Sequence, residues 1–215
     1  MTHPKGAPEG RNEAPRGGRR TPDEAQLKQR VKHELRRRMK ALRKALPAEA
    51  RALRSARVSR ALLDLADIGP RHRVAAFVAI HGEVDLEAFA AAHRARGGLL
   101  ALPRVDLEAQ RVVLHAHAPG DALVRGAYGI PEPDPGAPVV ARPDAVLVPF
   151  LAADPRGHRV GYGKGFYDKL LPELEGAVRI AAGFDFQLVP EVPTASFDVP
   201  VDVVVTDTRV IRAAR

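Results

Sequence analysis

The sequence predicts an α/β fold with a mainly parallel sheet, preceded by a basic helical hairpin and a disordered N-terminal tail. Short apolar segments that are largely β-branched have the composition of buried strands. They are Val74–Ala79, Leu99–Leu102, Val112–His117, Ala145–Pro149, Val178–Gly183 and Val203–Thr206. Helix-like stretches lie between several of them, at Leu86–Arg96 and from Phe166 to about Leu174. Buried strands that alternate with helices favour parallel pairing.

The tail is predicted from its composition. Residues 1–22 are rich in Pro, Gly and Arg and lack apolar periodicity, so they cannot bury enough surface to offset the entropy of ordering. We therefore divide the chain of 215 residues into a disordered tail over 1–24 and a single domain over 25–215. A nucleic-acid-binding arm is the functional alternative, although no aromatic side chains are interleaved with the arginines of the tail.

Two helices are predicted after the tail. Apolar residues recur at spacings of three and four up to Pro47, which ends the first helix. A second helix follows and ends near Gly69-Pro70. The residues expected to face inward are Leu27, Val31, Leu35, Met39, Leu42 and Leu46 in the first helix, and Leu53, Ala61, Leu62 and Leu65 in the second. Further along, the glycines and prolines of residues 118–144 predict a long ordered loop over the sheet.

The distribution of charge limits the classes of partner. The formal net charge is +8, but residues 1–60 carry 18 Lys+Arg against 6 Asp+Glu, whereas residues 61–215 carry 16 against 20. The basicity therefore belongs to the N-terminal quarter, where most of the arginines are expected to be solvated. A nucleic-acid partner acting through this quarter remains the alternative to a small-molecule function.

Several classes of site are excluded by composition. Without cysteine there is no disulfide, no thiolate nucleophile and no cysteine-based zinc site. No apolar run approaches the roughly 20 residues of a membrane-spanning helix. Because the first residues also lack the apolar region of a secretory signal, we expect a cytoplasmic protein. We also expect it to act as a monomer.

The most informative segment is residues 154–168, which follow a predicted strand and run into a predicted helix. Alternating glycines remove side chains where a backbone would wrap an anion, and the helix start adds a positive dipole. The glycines are Gly161, Gly163 and Gly165, and the nearby cations are Arg159 and Lys164. We interpret the segment as a phosphate cradle, with a simple glycine-rich turn as the alternative. It is neither a Walker A loop, since His158 stands where that motif has glycine, nor a G-x-G-x-x-G fingerprint.

Other polar residues are candidates for binding near such a cradle. Asp168 falls in the first turn of the predicted helix, where a carboxylate next to phosphates would need a cation such as Mg²⁺. Asp202, at a strand entrance, is structural when taken alone. Lys32 and Arg36 share a helical face, a pattern that is usually solvated. Glu83, just after a strand, either hydrogen-bonds a donor-rich heterocycle or opens the next helix.

The run Gly157-His-Arg-Val-Gly-Tyr-Gly-Lys-Gly-Phe-Tyr-Asp168 resembles the signature of the 5-formyltetrahydrofolate cyclo-ligase family, also called methenyltetrahydrofolate synthetase. Further similarities occur in family order over roughly residues 28–210. They are Lys32-His-Glu-Leu-Arg36, Glu83, Leu102-Pro-Arg104, Gly129-Ile-Pro-Glu-Pro133 and the late Gln187, Pro193, Asp198 and Asp202-Val-Val-Val-Thr206.

The resemblance implies a Rossmann-like three-layer α/β/α sandwich and conversion of 5-formyltetrahydrofolate to 5,10-methenyltetrahydrofolate with ATP and Mg²⁺. It implies ATP contacts from Lys32, Arg36, Arg159, Val160, Gly161, Tyr162, Gly163, Lys164, Gly165, Phe166 and Tyr167. Folate contacts are implied for Val78, Glu83, Tyr162, Gly163, Lys164, Gly165 and Phe166. Asp168 and Asp202 are implied as the magnesium carboxylates, and Arg159 and Lys164 as the catalytic cations that stabilise the transferring phosphoryl group.

Three positions depart from the family pattern. Phe150 and Ala153 replace a glycine and a phenylalanine, and Leu86 replaces a threonine. The lead-in His81-Gly82 before Glu83 is also not the commonest in the family. Since these changes are expected on the folate side, a paralogue acting on another pterin-like formamide stays open as an alternative. A sugar-phosphate or CoA-handling enzyme on the same fold is a further alternative.

Overall fold

The computed structural model describes residues 23–214. Its helices are α1 (Glu24–Ala45), α2 (Ala48–Leu63), α3 (Glu87–Ala95) and α4 (Phe166–Glu173). Its strands are β1 (Arg73–Ala75), β2 (Leu99–Asp106), β3 (Arg111–Ala116), β4 (Leu123–Arg125), β5 (Pro131–Pro133), β6 (Ala145–Pro149), β7 (Ala152–Ala153), β8 (Arg159–Val160), β9 (Val178–Ala182), β10 (Val203–Val205) and β11 (Val210–Arg212). The disorder predicted for residues 1–24 lies outside the described residues except at its end, since α1 begins at Glu24. None of the described helices is both long enough and apolar enough to cross a membrane.

The central sheet has seven strands in the order β11-β10-β9-β6-β1-β2-β3. The five inner strands pair in parallel, and the hairpin partners β3 and β11 close the two edges antiparallel. Parallel neighbours need crossover connections, which α3 supplies between β1 and β2 and α4 between β6 and β9. The predicted α/β fold with a mainly parallel sheet is confirmed.

Helices cover both faces of this sheet. Because side chains alternate along a strand, Val203 and Val205 pack on one face and Val204 on the other. The first face carries α2 and α3, represented by the buried Leu62. The second carries α4, represented by Leu171. The result is the three-layer α/β/α sandwich that the resemblance implied.

The buried face of α1 differs from the predicted one. Leu27, Val31 and Leu42 are 55%, 39% and 41% exposed, so much of the predicted apolar stripe faces outward. The reason is that α1 packs at one end of the sheet, on the β7–β8 hairpin, where Met39 joins the cluster around Leu151. The helix therefore turns a partly charged face inward. Its buried residues are Lys32, Met39 and Arg43.

The second helix packs elsewhere, against α3 and β10. Leu62 and Leu65 are buried as predicted, whereas Leu53 is 57% exposed and its predicted inward orientation is wrong. The two helices are consecutive in sequence, but each serves a different part of the fold.

Residues 118–144, predicted as one long loop, contain the antiparallel hairpin β4–β5. Proline is tolerated in a short edge ladder of this kind, but a prolyl residue in a sequence normally argues against a strand. The strand β5 was therefore not predicted, because it contains Pro131 and Pro133. The tiny β7–β8 hairpin was also not predicted. The β4–β5 and β7–β8 hairpins bring Tyr128 and the glycine-rich segment to the edge of the sheet where the candidate site lies.

Candidate active site

A cavity of about 430 Å³ opens beyond the carboxyl ends of β1 and β6. Phe77 and Val78 follow β1, and Pro149 is the last residue of β6. In open α/β sheets, ligands bind at this edge of the strands. All the residues predicted to contact ATP or folate line the cavity, from Lys32 and Arg36 on α1 to the segment 159–167.

The glycine-rich segment forms one wall of the cavity. It leaves β8 at Val160 and reaches α4 through Gly165, which caps the helix with φ +70°. Gly163 has φ +92°, a conformation that other residues rarely adopt. A Cβ built at Gly161 or Gly165 would meet nothing within 4 Å. The loop therefore leaves open space along its backbone, as an anion cradle requires.

The first helix holds this loop in place. Arg36 Nε donates to the carbonyl oxygen of Gly161 at 2.9 Å, and a Cβ on Gly163 would lie only 3.4 Å from the Arg36 guanidinium carbon. Lys40 follows one turn later on the same face, with Nζ 5.2 Å from the ring centroid of Tyr162. Sequence reasoning missed Lys40, although its spacing of four residues from Arg36 was the available signal.

Glu83 is a buried residue of the cavity wall, and only 5% of it is exposed. Its Oε2 accepts a hydrogen bond from the backbone N–H of Ile80 at 3.0 Å, and its Oε1 lies 3.5 Å from Arg43 Nη1. Arg43 Nη2 also donates to the hydroxyl of Tyr162. Burial raises the pKa of the Glu83 carboxyl, and Arg43 opposes that effect. Burial, with the Glu83 charge, raises the pKa of Tyr162 to about 12.

Arg159 lies beneath the loop and is almost fully buried. Its Nη2 donates to Asp168 Oδ1 at 2.9 Å, and its Nη1 donates to the carbonyl oxygen of Val199. Burial lowers the pKa of Arg159, while the nearby Asp168 carboxylate works in the opposite direction. In this arrangement Arg159 fixes the position of Asp168 at the cavity wall.

The structure does not bring Asp202 to the cavity. Its carboxylate accepts from the backbone N–H of Arg179 at 2.9 Å, and its own N–H donates to the Arg179 carbonyl. These two bonds hold Asp202 level with Arg179, which in turn pairs with Val146 of β6. Val146 lies three residues before Pro149, the residue of β6 that lines the cavity. Asp202 therefore lies at the amino end of β10, roughly 10 Å from the cavity edge along the strands. The predicted pairing of Asp202 with Asp168 is therefore corrected.

Asp198 is the carboxylate that lines the cavity with Asp168. Its Oδ2 accepts from Lys32 Nζ at 2.6 Å and from the backbone N–H of Ala195 at 2.8 Å. Asp198 also lies within the family pattern, but the resemblance implied Asp202 as the second magnesium carboxylate.

Lys164 projects from the tip of the loop and is exposed. Its Nζ lies 4.9 Å from the ring centroid of Tyr128, whose ring is 6.0 Å from that of Phe166. Tyr128 has a positive φ of 57° within a tight turn, and Glu132 is buried nearby with Oε1 accepting from Val105 N at 3.3 Å. Sequence reasoning missed both cavity residues, because nothing in a loop rich in glycine and proline indicates which side chains turn inward.

The family model of the 5-formyltetrahydrofolate cyclo-ligase family matches residues 28–207 of this chain. The match spans the whole cavity, from the cations of α1 to the strand β10. The chain belongs to the 5-formyltetrahydrofolate cyclo-ligase family. The resemblance inferred from the glycine-rich signature is confirmed.

Curated relatives carry the same family name. The chain is 37% identical over 103 residues to the 5-formyltetrahydrofolate cyclo-ligase of Mycolicibacterium smegmatis, a match that covers 46% of this chain and 53% of that relative. It is 30% identical over 145 residues to the Escherichia coli cyclo-ligase, with 65% and 80% covered. The mouse cyclo-ligase is 25% identical over 185 residues, with 80% and 91% covered. The chain therefore spans about half of the first of these relatives and most of the others.

Solved structures of the family have the same fold. The NMR structure of the Aquifex aeolicus 5,10-methenyltetrahydrofolate synthetase superposes with a TM-score of 0.75 at 34% identity, covering 86% of this chain and 94% of that one. A synthetase from Mycoplasma pneumoniae gives a TM-score of 0.67 at 19% identity, covering 82% and 98%, and supports the fold alone.

The three departures from the family pattern do not line the cavity. Phe150 is 1% exposed, and a Cβ on Gly183 would lie 2.4 Å from its ring, so the ring fills the space that Gly183 leaves. Ala153 and Leu86 are also core residues, 0% and 4% exposed. The expectation that these changes touch the folate side is therefore wrong for all three. His81, the other unusual residue of this region, does line the cavity.

Proposed function

We propose that this chain is an ATP- and Mg²⁺-dependent 5-formyltetrahydrofolate cyclo-ligase that binds both substrates in the cavity between α1 and the glycine-rich loop. The observation that carries the proposal is the convergence of two unlike features on one cavity. A backbone cradle anchored by Arg36 suits a polyphosphate, and the buried Glu83 suits a heterocycle rich in N–H donors.

The triphosphate would lie along residues 160–165. Its charge would be met by cations that approach from two elements, with Lys32 and Arg36 on α1 and Lys164 at the loop tip. Backbone N–H groups of the loop and the start of α4 would donate to the phosphate oxygens. Arg159 lines the same cavity and also holds Asp168 in place.

The folate would lie between Val78, Glu83 and the aromatic side of the loop formed by Tyr162 and Phe166. Glu83 Oε1 faces Arg43 Nη1 at 3.5 Å but makes no hydrogen bond among the described residues, so a donor of the pterin ring would satisfy it. A site that relies on such buried hydrogen bonds discriminates strongly against analogues that cannot make them.

The residues present fit a magnesium ion. Among residues 23–214 no group of three or more His, Cys, Asp or Glu side chains is suited to a metal. Mg²⁺, however, typically takes only one or two carboxylates and completes its shell with phosphate oxygens and water. Asp168 and Asp198 line the cavity and would supply those carboxylates. When bound, the ion would neutralise charge on the triphosphate.

The reaction requires no protein nucleophile. The formyl oxygen attacks the γ-phosphorus, and the bond from that phosphorus to the bridging oxygen breaks. ADP leaves, and the phosphorylated formyl group is an imino-phosphate. The second folate nitrogen then attacks the formyl carbon and loses its proton, and phosphate departs as the ring closes. The work of the protein is to align the two substrates and stabilise the transferring phosphoryl group, for which Lys164 and Arg159 are the proposed catalytic cations.

The test is a direct assay. Purified protein is mixed with 5-formyltetrahydrofolate and MgATP, and the near-ultraviolet absorbance of the methenyl product is followed together with ADP release. An absorbance rise that needs both ATP and Mg²⁺ is expected. ADP release with another formylated pterin, but no methenyl product from 5-formyltetrahydrofolate, would replace the proposal by a paralogous activity. Neither signal would overturn it.

A further inference from the structure

Arg43 occupies an unusual place for an arginine. It lies in the last turn of α1 and is completely buried, whereas arginines are almost never fully buried unless they are paired. Its guanidinium faces two partners that come from distant parts of the chain. Nη1 lies 3.5 Å from Glu83 Oε1, and Nη2 donates to the hydroxyl of Tyr162.

The contacts of Arg43 link the two halves of the cavity. Glu83 belongs to the proposed folate side, and Tyr162 belongs to the glycine-rich loop on the ATP side. Arg43 itself does not line the cavity, so it would act through these two residues rather than on a substrate. A Cβ on Gly82 would lie 3.4 Å from the carbonyl oxygen of Arg43 and 3.7 Å from its Cβ, so the glycine lets the Glu83 segment approach α1 closely.

The hydrogen bonding around Arg43 is incomplete. Among the described residues, Arg43 Nε and Glu83 Oε1 have no hydrogen-bond partner, although both atoms are buried. Buried polar atoms are normally satisfied, and of these two residues Glu83 lines the cavity whereas Arg43 does not. Glu83 Oε2 is already held by the Ile80 N–H, so Oε1, which faces Arg43 Nη1 at 3.5 Å without a hydrogen bond, is the oxygen left for a substrate donor.

We propose that Arg43 is a positioning residue for cyclisation, which keeps Glu83 ionised and oriented for the folate and holds Tyr162 so that the phosphate loop stays packed against it. This inference rests on the proposed function, because it assigns a role within the same site. It goes beyond that function by placing the control of the folate-binding charge on a residue that touches neither substrate.

The electrostatic surroundings of Glu83 support the assignment. Burial raises the pKa of Glu83, and the groups that lower it are the Ile80 N–H from its own loop, Arg43 from α1 and Tyr162 from the glycine-rich loop. The ring of His81 lies 6.0 Å from that of Tyr162, and Lys40 approaches Tyr162 from α1. Of the groups that lower the pKa of Glu83, Arg43 is the cation. Its removal would therefore let Glu83 bind a proton at a higher pH.

The experiment compares Arg43→Gln and Arg43→Lys with Arg38→Gln, an exposed arginine of the same helix. Calorimetry measures the affinity for 5-formyltetrahydrofolate, without nucleotide, over the whole pH range in which each variant stays folded. A non-hydrolysable ATP analogue is titrated separately, and the melting temperature of each variant is recorded.

The expected result is specific to charge. Arg43→Gln moves the fall of folate affinity at low pH (its acid limb) upward by about one pH unit or more, so that affinity drops about tenfold at the acid end of the range and recovers as the pH rises. Arg43→Lys keeps the wild-type acid limb, and Arg38→Gln behaves as wild type. Glu83→Gln removes the limb, which assigns it to Glu83 rather than to His81.

Other outcomes overturn the proposal. Equal loss of folate and nucleotide affinity at every pH would mean that Arg43 is only structural, and an acid limb that survives Glu83→Gln would assign the titration elsewhere. If Arg43→Gln does not fold, Arg43→Lys decides, since a displaced acid limb in that variant contradicts the role. Failure of the proposed function is distinguishable, because wild-type protein would then not bind 5-formyltetrahydrofolate at all.

Discussion

Arg36 on α1 donates a 2.9 Å hydrogen bond to the carbonyl oxygen of Gly161, which is 125 residues further along the chain. The bond joins the start of the glycine-rich loop to a helix that packs on the hairpin from which the loop emerges. Loop and helix therefore form one wall of the cavity, and changes on α1 are expected to act on the conformation of the loop as well as on charge.

Arg36→Ala is expected to weaken ATP binding by about tenfold to a hundredfold, the size of a lost charge-assisted hydrogen bond and phosphate contact. Folate affinity measured without nucleotide should change much less. Calorimetry with an ATP analogue measures the effect. Arg37→Ala is the matched control, because Arg37 is exposed and, within residues 23–214, its ionic partner is Glu34 on the outer face. Equal losses in the two variants would contradict the assignment.

Gly163→Ala is expected to impair both stability and ATP binding. With φ +92° and the Arg36 guanidinium 3.4 Å from the new Cβ, the substitution should cost about 1–2 kcal/mol of folding free energy and distort the cradle. Gly176→Ala is the control, since Gly176 has φ +77° with open space around it and lies away from the cavity. Denaturant unfolding should show comparable losses of stability, whereas only Gly163→Ala should weaken nucleotide binding.

Lys164→Ala is expected to lower kcat by about a hundredfold to a thousandfold without lowering the melting temperature, because its ammonium group is exposed and would act on charge that develops in the transition state. Lys169→Ala removes an exposed lysine from the neighbouring helix and should leave turnover unchanged. Steady-state assays at saturating substrates separate kcat from KM. Turnover like that of the wild type in Lys164→Ala would remove this residue from the catalytic set.

Much of the fold followed from periodicity. The strand Ala145–Pro149 matches β6 residue for residue, and α4 begins at Phe166 as predicted, because continuous apolar runs and a glycine before a helix are local signals. The face of α1 could not be predicted in this way. Its inward side is set by where the helix docks, and there Met39 is buried beside the cations Lys32 and Arg43.

The candidate site likewise contains residues that local sequence signals indicate and residues that only tertiary packing brings in. The alternating glycines and Lys164 carry their chemistry in adjacent residues, so the sequence alone indicated a phosphate cradle. Arg43 and Tyr128 reach the site only through tertiary packing, and neither spacing nor composition distinguishes them from surface residues. Asp202 illustrates the converse, since the resemblance assigned it to a site from which the strand register separates it, whereas its local context had indicated a structural role.

The two aspartates of the C-terminal segment give a matched pair of substitutions. Asp198→Asn should raise the Mg²⁺ concentration needed for half-maximal activity by about tenfold or more, because a neutral amide is a weaker ligand for a hard cation than a carboxylate. The change also removes the ionic partner of Lys32, which lies 2.6 Å away, so part of the effect should appear in the KM for ATP.

Asp202→Asn should instead lower stability by about 1 kcal/mol, because a neutral amide oxygen replaces the charged carboxylate that accepts from the Arg179 N–H between β9 and β10, and leave the Mg²⁺ dependence unchanged. Assays over a range of free Mg²⁺, together with denaturant unfolding, measure both effects. A raised Mg²⁺ requirement in Asp202→Asn with none in Asp198→Asn would reverse the assignment. Such a result would require β10 to shift along its neighbours, since the present register holds Asp202 level with Arg179 and Val146, below the cavity rather than at its edge.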